Sequence, residues 1–213
     1  GNKLSEEVDY ALIVDQVEGT KNLQNTERYT TLAALDPENP TLNGVEASLV
    51  YRWDGTLFFS DGNDAYQNMD AHDGSAEYDI EEATELIAGT MDEVNYLTKI
   101  RGQGIGRNVQ DLADIMNNLI DHYELPEPNW PSLKADGTTT GDIMGTVNDS
   151  SIAVDIRALK DRERLPFAQD FVPAAKIAQD AGAKIIDEKG EEIQTDFTEP
   201  GSATAYIAMP PGK

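Results

Sequence analysis

The chain has 213 residues, of which 39% are hydrophobic, and it carries 40 acidic residues against 16 Lys and Arg for a net charge of -24. That is enough apolar material to bury a core, so the acidity is not that of a disordered tail, but its long-range field repels polyanions and argues against nucleic acid or anionic membrane as partner. Cysteine is absent, which removes disulfides, thiolate nucleophiles, iron–sulfur clusters and cysteine-based zinc sites.

In chain order, "LSEEVDYALIVDQVEG" offers Ser5 as an N-cap, acids in the first turn and Gly19 as a stop. This predicts a helix over 5–18, with a strand through "YALIVDQV" as the rival. A second short helical stretch, "TERYTTLAAL", ends at "DPENP". From Val45 the period changes to two, and Asp54-Gly55 favours a tight turn. The spacing predicts a β-hairpin that pairs Tyr51 with Phe58 and Val50 with Phe59. After the Asp/Asn/Gly-rich loop beyond Ser60, Asp79 and Glu82 look like a capping pair, and the following three- and four-residue spacing predicts a helix to about Ile100. Asn108 opens another amphipathic pattern that runs until Pro126.

Between these two helices lies "KIRGQGIGRN". Its glycine spacing fits neither a dinucleotide fingerprint nor a Walker loop, so it reads as the turn of a long helical hairpin, with Lys99, Arg101 and Arg107 as a candidate anion site beside a helix N-terminus. "LPEPNWPSL" is a Pro-rich connection. Beyond it come a strand in "SSIAVDIRAL", a short helix from Pro173 to Gly182, a hairpin about Glu188-Lys189-Gly190 and a last strand in "SATAYIAMP". The expected fold class is α+β: N-terminal helices, a hairpin, a long helical hairpin and a C-terminal antiparallel β segment with one short helix. It forms one domain over 1–213, or two lobes, 1–125 and 132–213.

Chemistry is sparse at this level. There is no nucleophile elbow, no S-x-x-K and no H-E-x-x-H, and two histidines fifty residues apart do not make a zinc site. Asp61, Asn63, Asp64 and Asp70 gather hard oxygens in one loop and are candidate calcium ligands, although they miss the EF-hand spacing. Tyr51, Trp53 and Trp130 are candidate ligand-binding aromatics. The absence of a leader and of cysteine suggests export. The reading is an exported, acidic, non-catalytic binding domain without cofactor, calcium excepted, whose partner is a protein or a small molecule and which has no membrane insertion. Alternatives are a ligand-sensing extracytoplasmic domain and a carboxylate-based hydrolase with or without calcium.

Overall fold

The computed structural model describes residues 9–18, 28–68, 83–90, 96–101, 138–155, 165–187 and 189–211, with residues 96–101 as backbone. Ten strands and two α-helices lie within these residues. Strands β1 (Ala11–Glu18), β2 (Tyr29–Leu35), β3 (Val45–Arg52), β4 (Leu57–Ser60), β5 (Ala65–Asn68) and β6 (Thr84–Glu85) form an antiparallel sheet in sequence order. A second sheet has the order β7-β8-β10-β9, built from β7 (Tyr96–Arg101), β8 (Ser151–Asp155), β9 (Lys184–Ile186) and β10 (Ile207–Met209), with β7 parallel to β8. Helices α1 (Thr139–Asn148) and α2 (Ala168–Asp180) pack on each other. Helix α1 also packs against the second sheet, and α2 against the first.

Helix α2 is the axis of the core. Nine of its residues are buried, Phe171 and Ile177 among them, and they meet Val50, Phe58 and Ala33 from the inner face of the first sheet. The Phe171 ring lies 5.3 Å from that of Tyr206 and 5.8 Å from that of Phe197, so the C-terminal segment closes the core from the other side. The outer face of the same sheet is apolar as well: Leu12, Val14 and Leu32 are exposed there, and Phe59 stacks on Tyr66 at 5.2 Å.

The architecture corrects the expected one. The segment read as a helix over 5–18 is strand β1 where it is described, and "YTTLAAL" of the second helical stretch is β2. The physical reason is the two-sided apolar strand: Leu12 and Val14 face outward while Ile13 faces the core, which destroys period-two alternation and imitates a helical face. The long helical hairpin is also absent from its first half. Residues 83–90 hold only β6, and Tyr96–Arg101, including Lys99 and Arg101, is a strand beside β8. The other half of that expected hairpin, from Asn108 to Tyr123, lies outside the described residues. The hairpin at 45–60 forms with a shifted register, Val50 opposite Phe58 and Tyr51 opposite Leu57. Its loop spans Trp53–Gly55, closed by the bond from Arg52 N to the Thr56 carbonyl at 2.8 Å, with Gly55 at φ 103°.

Candidate functional site

The end of β1 does something a plain strand cannot. Asp15 pairs with Thr31 and Glu18 with Tyr29, so Gln16 and Val17 together stand against Thr30 alone. This is a β-bulge, and it resets the alternation so that both acids take the inner face that Thr31 and Tyr29 occupy. The bulge is held locally: Val17 N donates to Asp15 Oδ1 at 2.9 Å, and the Thr30 hydroxyl donates to the Gln16 carbonyl at 2.9 Å.

Glu18 is buried, at 7% exposure. Its carboxylate lies on the N-terminus of α1, where Thr139 N donates to Oε1 at 2.6 Å and Thr140 N reaches both oxygens at 3.4 and 3.3 Å. The first amides of a helix have no intrahelical acceptor and carry the positive end of its dipole, so this is where an anion's oxygens belong. Thr138 caps the helix by accepting from Gly141 N at 3.0 Å. Gly141 must be small, because a Cβ there would lie 2.7 Å from Thr138 Oγ1 and 3.1 Å from the Tyr29 hydroxyl.

A second helix N-terminus arrives at the same place. The Thr140 hydroxyl donates to the Asp170 carbonyl at 3.2 Å and the Thr31 hydroxyl to the Gln169 carbonyl at 2.9 Å, which fixes the first turn of α2 against β2 and α1. Asp170 is half-buried in that turn. The end of β1, with Asp15 and Glu18, therefore converges with the starts of two helices. The one buried cation among the described residues, Lys176, sits further along α2 and bonds Asp180. A site of this make-up offers hard oxygens to a cation and backbone N–H groups to an anion.

Among the described residues no three His, Cys, Asp or Glu side chains stand close enough together to hold a metal by themselves. The donors present are hard carboxylate oxygens. They suit a cation that takes one or two protein carboxylates and completes its shell with substrate phosphate and water, which is the habit of magnesium.

Of the residues singled out from sequence, those whose side chains are described lie elsewhere. Asp61 Oδ1 accepts from Asn63 N at 3.0 Å and Asp64 N at 3.1 Å, an Asx-type turn at the start of β5, and Asp70 is outside the described residues. Tyr51 lies half-buried on β3. Trp53 is exposed in the hairpin turn, with its indole N–H on Thr30 Oγ1 at 3.4 Å and the Arg28 guanidinium 5.2 Å from its ring. Trp130 and Arg107 are outside the described residues. Sequence reasoning passed over Asp15, Glu18, Thr139, Thr140 and Asp170. The available signals were a strand ending in two acids before a glycine, and a Thr-x-x-Gly-Asp helix start.

No protein-family model matches the chain, and no curated protein sequence matches it. Solved structures do match its fold. CysQ from Bacteroides thetaiotaomicron, described as a bacterial member of the inositol monophosphatase family, aligns with a TM-score of 0.65 at 15% identity, covering 95% of this chain and 70% of that one. Fructose-1,6-bisphosphatase from Leishmania major, in holo form, gives 0.65 at 14% identity, with 94% and 65% covered. An extragenic suppressor from Pyrococcus furiosus gives 0.63 at 15% identity, with 98% and 70% covered. The fold is the α/β sandwich of inositol monophosphatase and fructose-1,6-bisphosphatase. This overturns the expectation of a non-catalytic binding domain, because the fold spans nearly the whole chain and solved structures that share it bear the names of phosphatases.

Proposed function

We propose that the chain is a metal-assisted phosphatase acting on a small phosphorylated polyol or sugar, the reading closest to the hydrolase alternative. One observation carries it: Glu18 already holds a pair of oxyanion oxygens against the first amides of α1, in a fold shared with phosphatases. A phosphate group would take the same amides.

In this reading the N–H groups of Thr139 and Thr140 receive phosphate oxygens and the α1 dipole favours their charge. Gly141 keeps the approach free of a Cβ. One or two carboxylates from among Asp15, Glu18 and Asp170 would hold the cation, magnesium in preference to calcium, with substrate phosphate and water completing its shell. A bound divalent ion neutralises phosphate charge and acidifies a coordinated water. The carboxylates contribute the negative field that retains such an ion, while the paired helix starts keep an anion bound beside it.

The test is phosphate release by the full chain from inositol monophosphate and fructose 1,6-bisphosphate with magnesium, against the same reactions in chelator. Magnesium-dependent release that Glu18→Gln abolishes supports the reading. No release from either compound with magnesium or manganese would overturn it.

A further inference from the structure

Helix α2 contains a proline inside its span. Pro173 is the sixth residue of Ala168–Asp180, and its ring supplies no N–H to the carbonyl four residues back, that of Gln169. An interior proline of this kind ordinarily weakens or kinks a helix. Here the vacated acceptor has a dedicated replacement: the hydroxyl of Thr31, on the inner face of β2, donates to the Gln169 carbonyl at 2.9 Å. Thr31 is 0% exposed, so without that carbonyl its hydroxyl would be a buried donor with no water to turn to. Each group answers the deficiency of the other.

The pairing lies where it matters for the candidate site. Thr31 stands opposite Asp15 in the β1–β2 register, and Gln169 directly precedes Asp170. The neighbouring Asp170 carbonyl is bonded by Thr140, whose amide holds Glu18. We propose that Thr31 and Pro173 act together as a positioning device: Pro173 opens the Gln169 carbonyl to an outside donor, and Thr31 uses it to fix Asp170 relative to Asp15 and Glu18. A helix with an ordinary residue at 173 would satisfy its own carbonyl and leave its first turn untethered to the strand.

The kinetic side of this inference rests on the phosphatase reading, but the metal-binding side does not. The experiment compares the full chain with Thr31→Val, Pro173→Ala, the double variant and Thr31→Ser. It measures the melting temperature, manganese affinity by electron paramagnetic resonance, and kcat and KM. Thr31→Val should lower the melting temperature and weaken manganese binding about tenfold, with kcat falling similarly and KM nearly unchanged. Thr31→Ser should restore all of these. The double variant should recover most of the lost melting temperature, because residue 173 again supplies an N–H, yet keep the weakened manganese affinity, because the tether to β2 is gone. A melting temperature in the double variant no higher than in Thr31→Val overturns the partnership. Manganese affinity untouched by Thr31→Val overturns the positioning role. If no phosphate is released by any form but the manganese pattern holds, the phosphatase reading fails and this inference stands.

Discussion

The two ends of α2 solve opposite problems with the same kinds of group. At its C-terminal end, Lys176 Nζ bonds Asp180 Oδ1 at 2.6 Å and the Gly62 carbonyl at 2.9 Å, while the Ser60 hydroxyl donates to the other Asp180 oxygen. Both side chains of the pair are only 7% exposed. Charge is cancelled there and every named atom serves to bolt the helix to the loop after β4. At the N-terminal end, about 15 Å away along the axis, backbone amides and carbonyls are met by hydroxyls and by Glu18. A buried ion pair of this kind holds a fold together, whereas backbone amides at a helix start, held by a carboxylate, are suited to receiving an oxyanion.

Separate substitutions can break this contrast. The largest effect is expected at the N-terminal end, where Asp170→Asn should reduce magnesium-dependent phosphate release about 10²–10³-fold while leaving the melting temperature nearly unchanged. Lys176→Met should do the reverse: stranding Asp180 in the interior costs about 3–5 kcal/mol, read by urea unfolding. Adding Asp180→Leu to it should return part of that stability, because the remaining buried charge is gone. If Lys176→Met left stability intact, or Asp170→Asn unfolded the chain, the division between the two ends would be wrong.

Gly141→Ala sharpens the picture of the α1 terminus. Its methyl must displace the Thr138 cap or the Tyr29 hydroxyl, so a loss of about 1–3 kcal/mol should accompany weaker inorganic phosphate binding, measured by calorimetry.

The smallest expected effect lies beside the neutralised end. The backbone amides of Asp64 and Asn63 hold the Asp61 carboxyl below its ordinary value, with Lys176 adding a lesser pull. A carboxyl whose folded pKa is depressed contributes stability above its unfolded pKa and loses it as pH falls through the folded one. Asp61→Ala should therefore melt slightly below the parent at neutral pH and match it in strong acid. A difference that instead grew on acidification would contradict this assignment.

Parts of this arrangement were legible beforehand for simple reasons. Alternation from Val45 and Asp54-Gly55 marked the β3–β4 hairpin, although the loop takes three residues where two were expected and shifts the register by one. Gly182, at φ 97°, marked the end of α2. The start of that helix was hidden because proline normally favours a first helical position, and only the tertiary bond from Thr31 lets the helix begin at Ala168 instead. Helix α1 was hidden by composition: three threonines and two glycines in "TTTGDIMG" have poor helix propensity, and the segment is rescued by its Thr138 cap and by burial against β8. The site itself was hidden by parity, since two acids three residues apart point to opposite faces of any regular strand.

The bulge at Gln16 and Val17 accordingly behaves like a parity bit written into the chain. Straightening the bulge with the residue count unchanged, so that Val17 took the place opposite Tyr29, would turn the carboxylate of Glu18 toward the outer face of the sheet, away from the amides that now hold it, without removing a single acidic residue; deleting one residue of the pair would instead leave it facing inward. Length changes in this strand are thus not graded: outside the bulge an even number preserves which residues face inward and an odd number exchanges the inner and outer sets, whereas at the bulge a single deletion leaves the inner set in place. A lineage descended from this chain could vary the chemistry of β1 far more freely than its count.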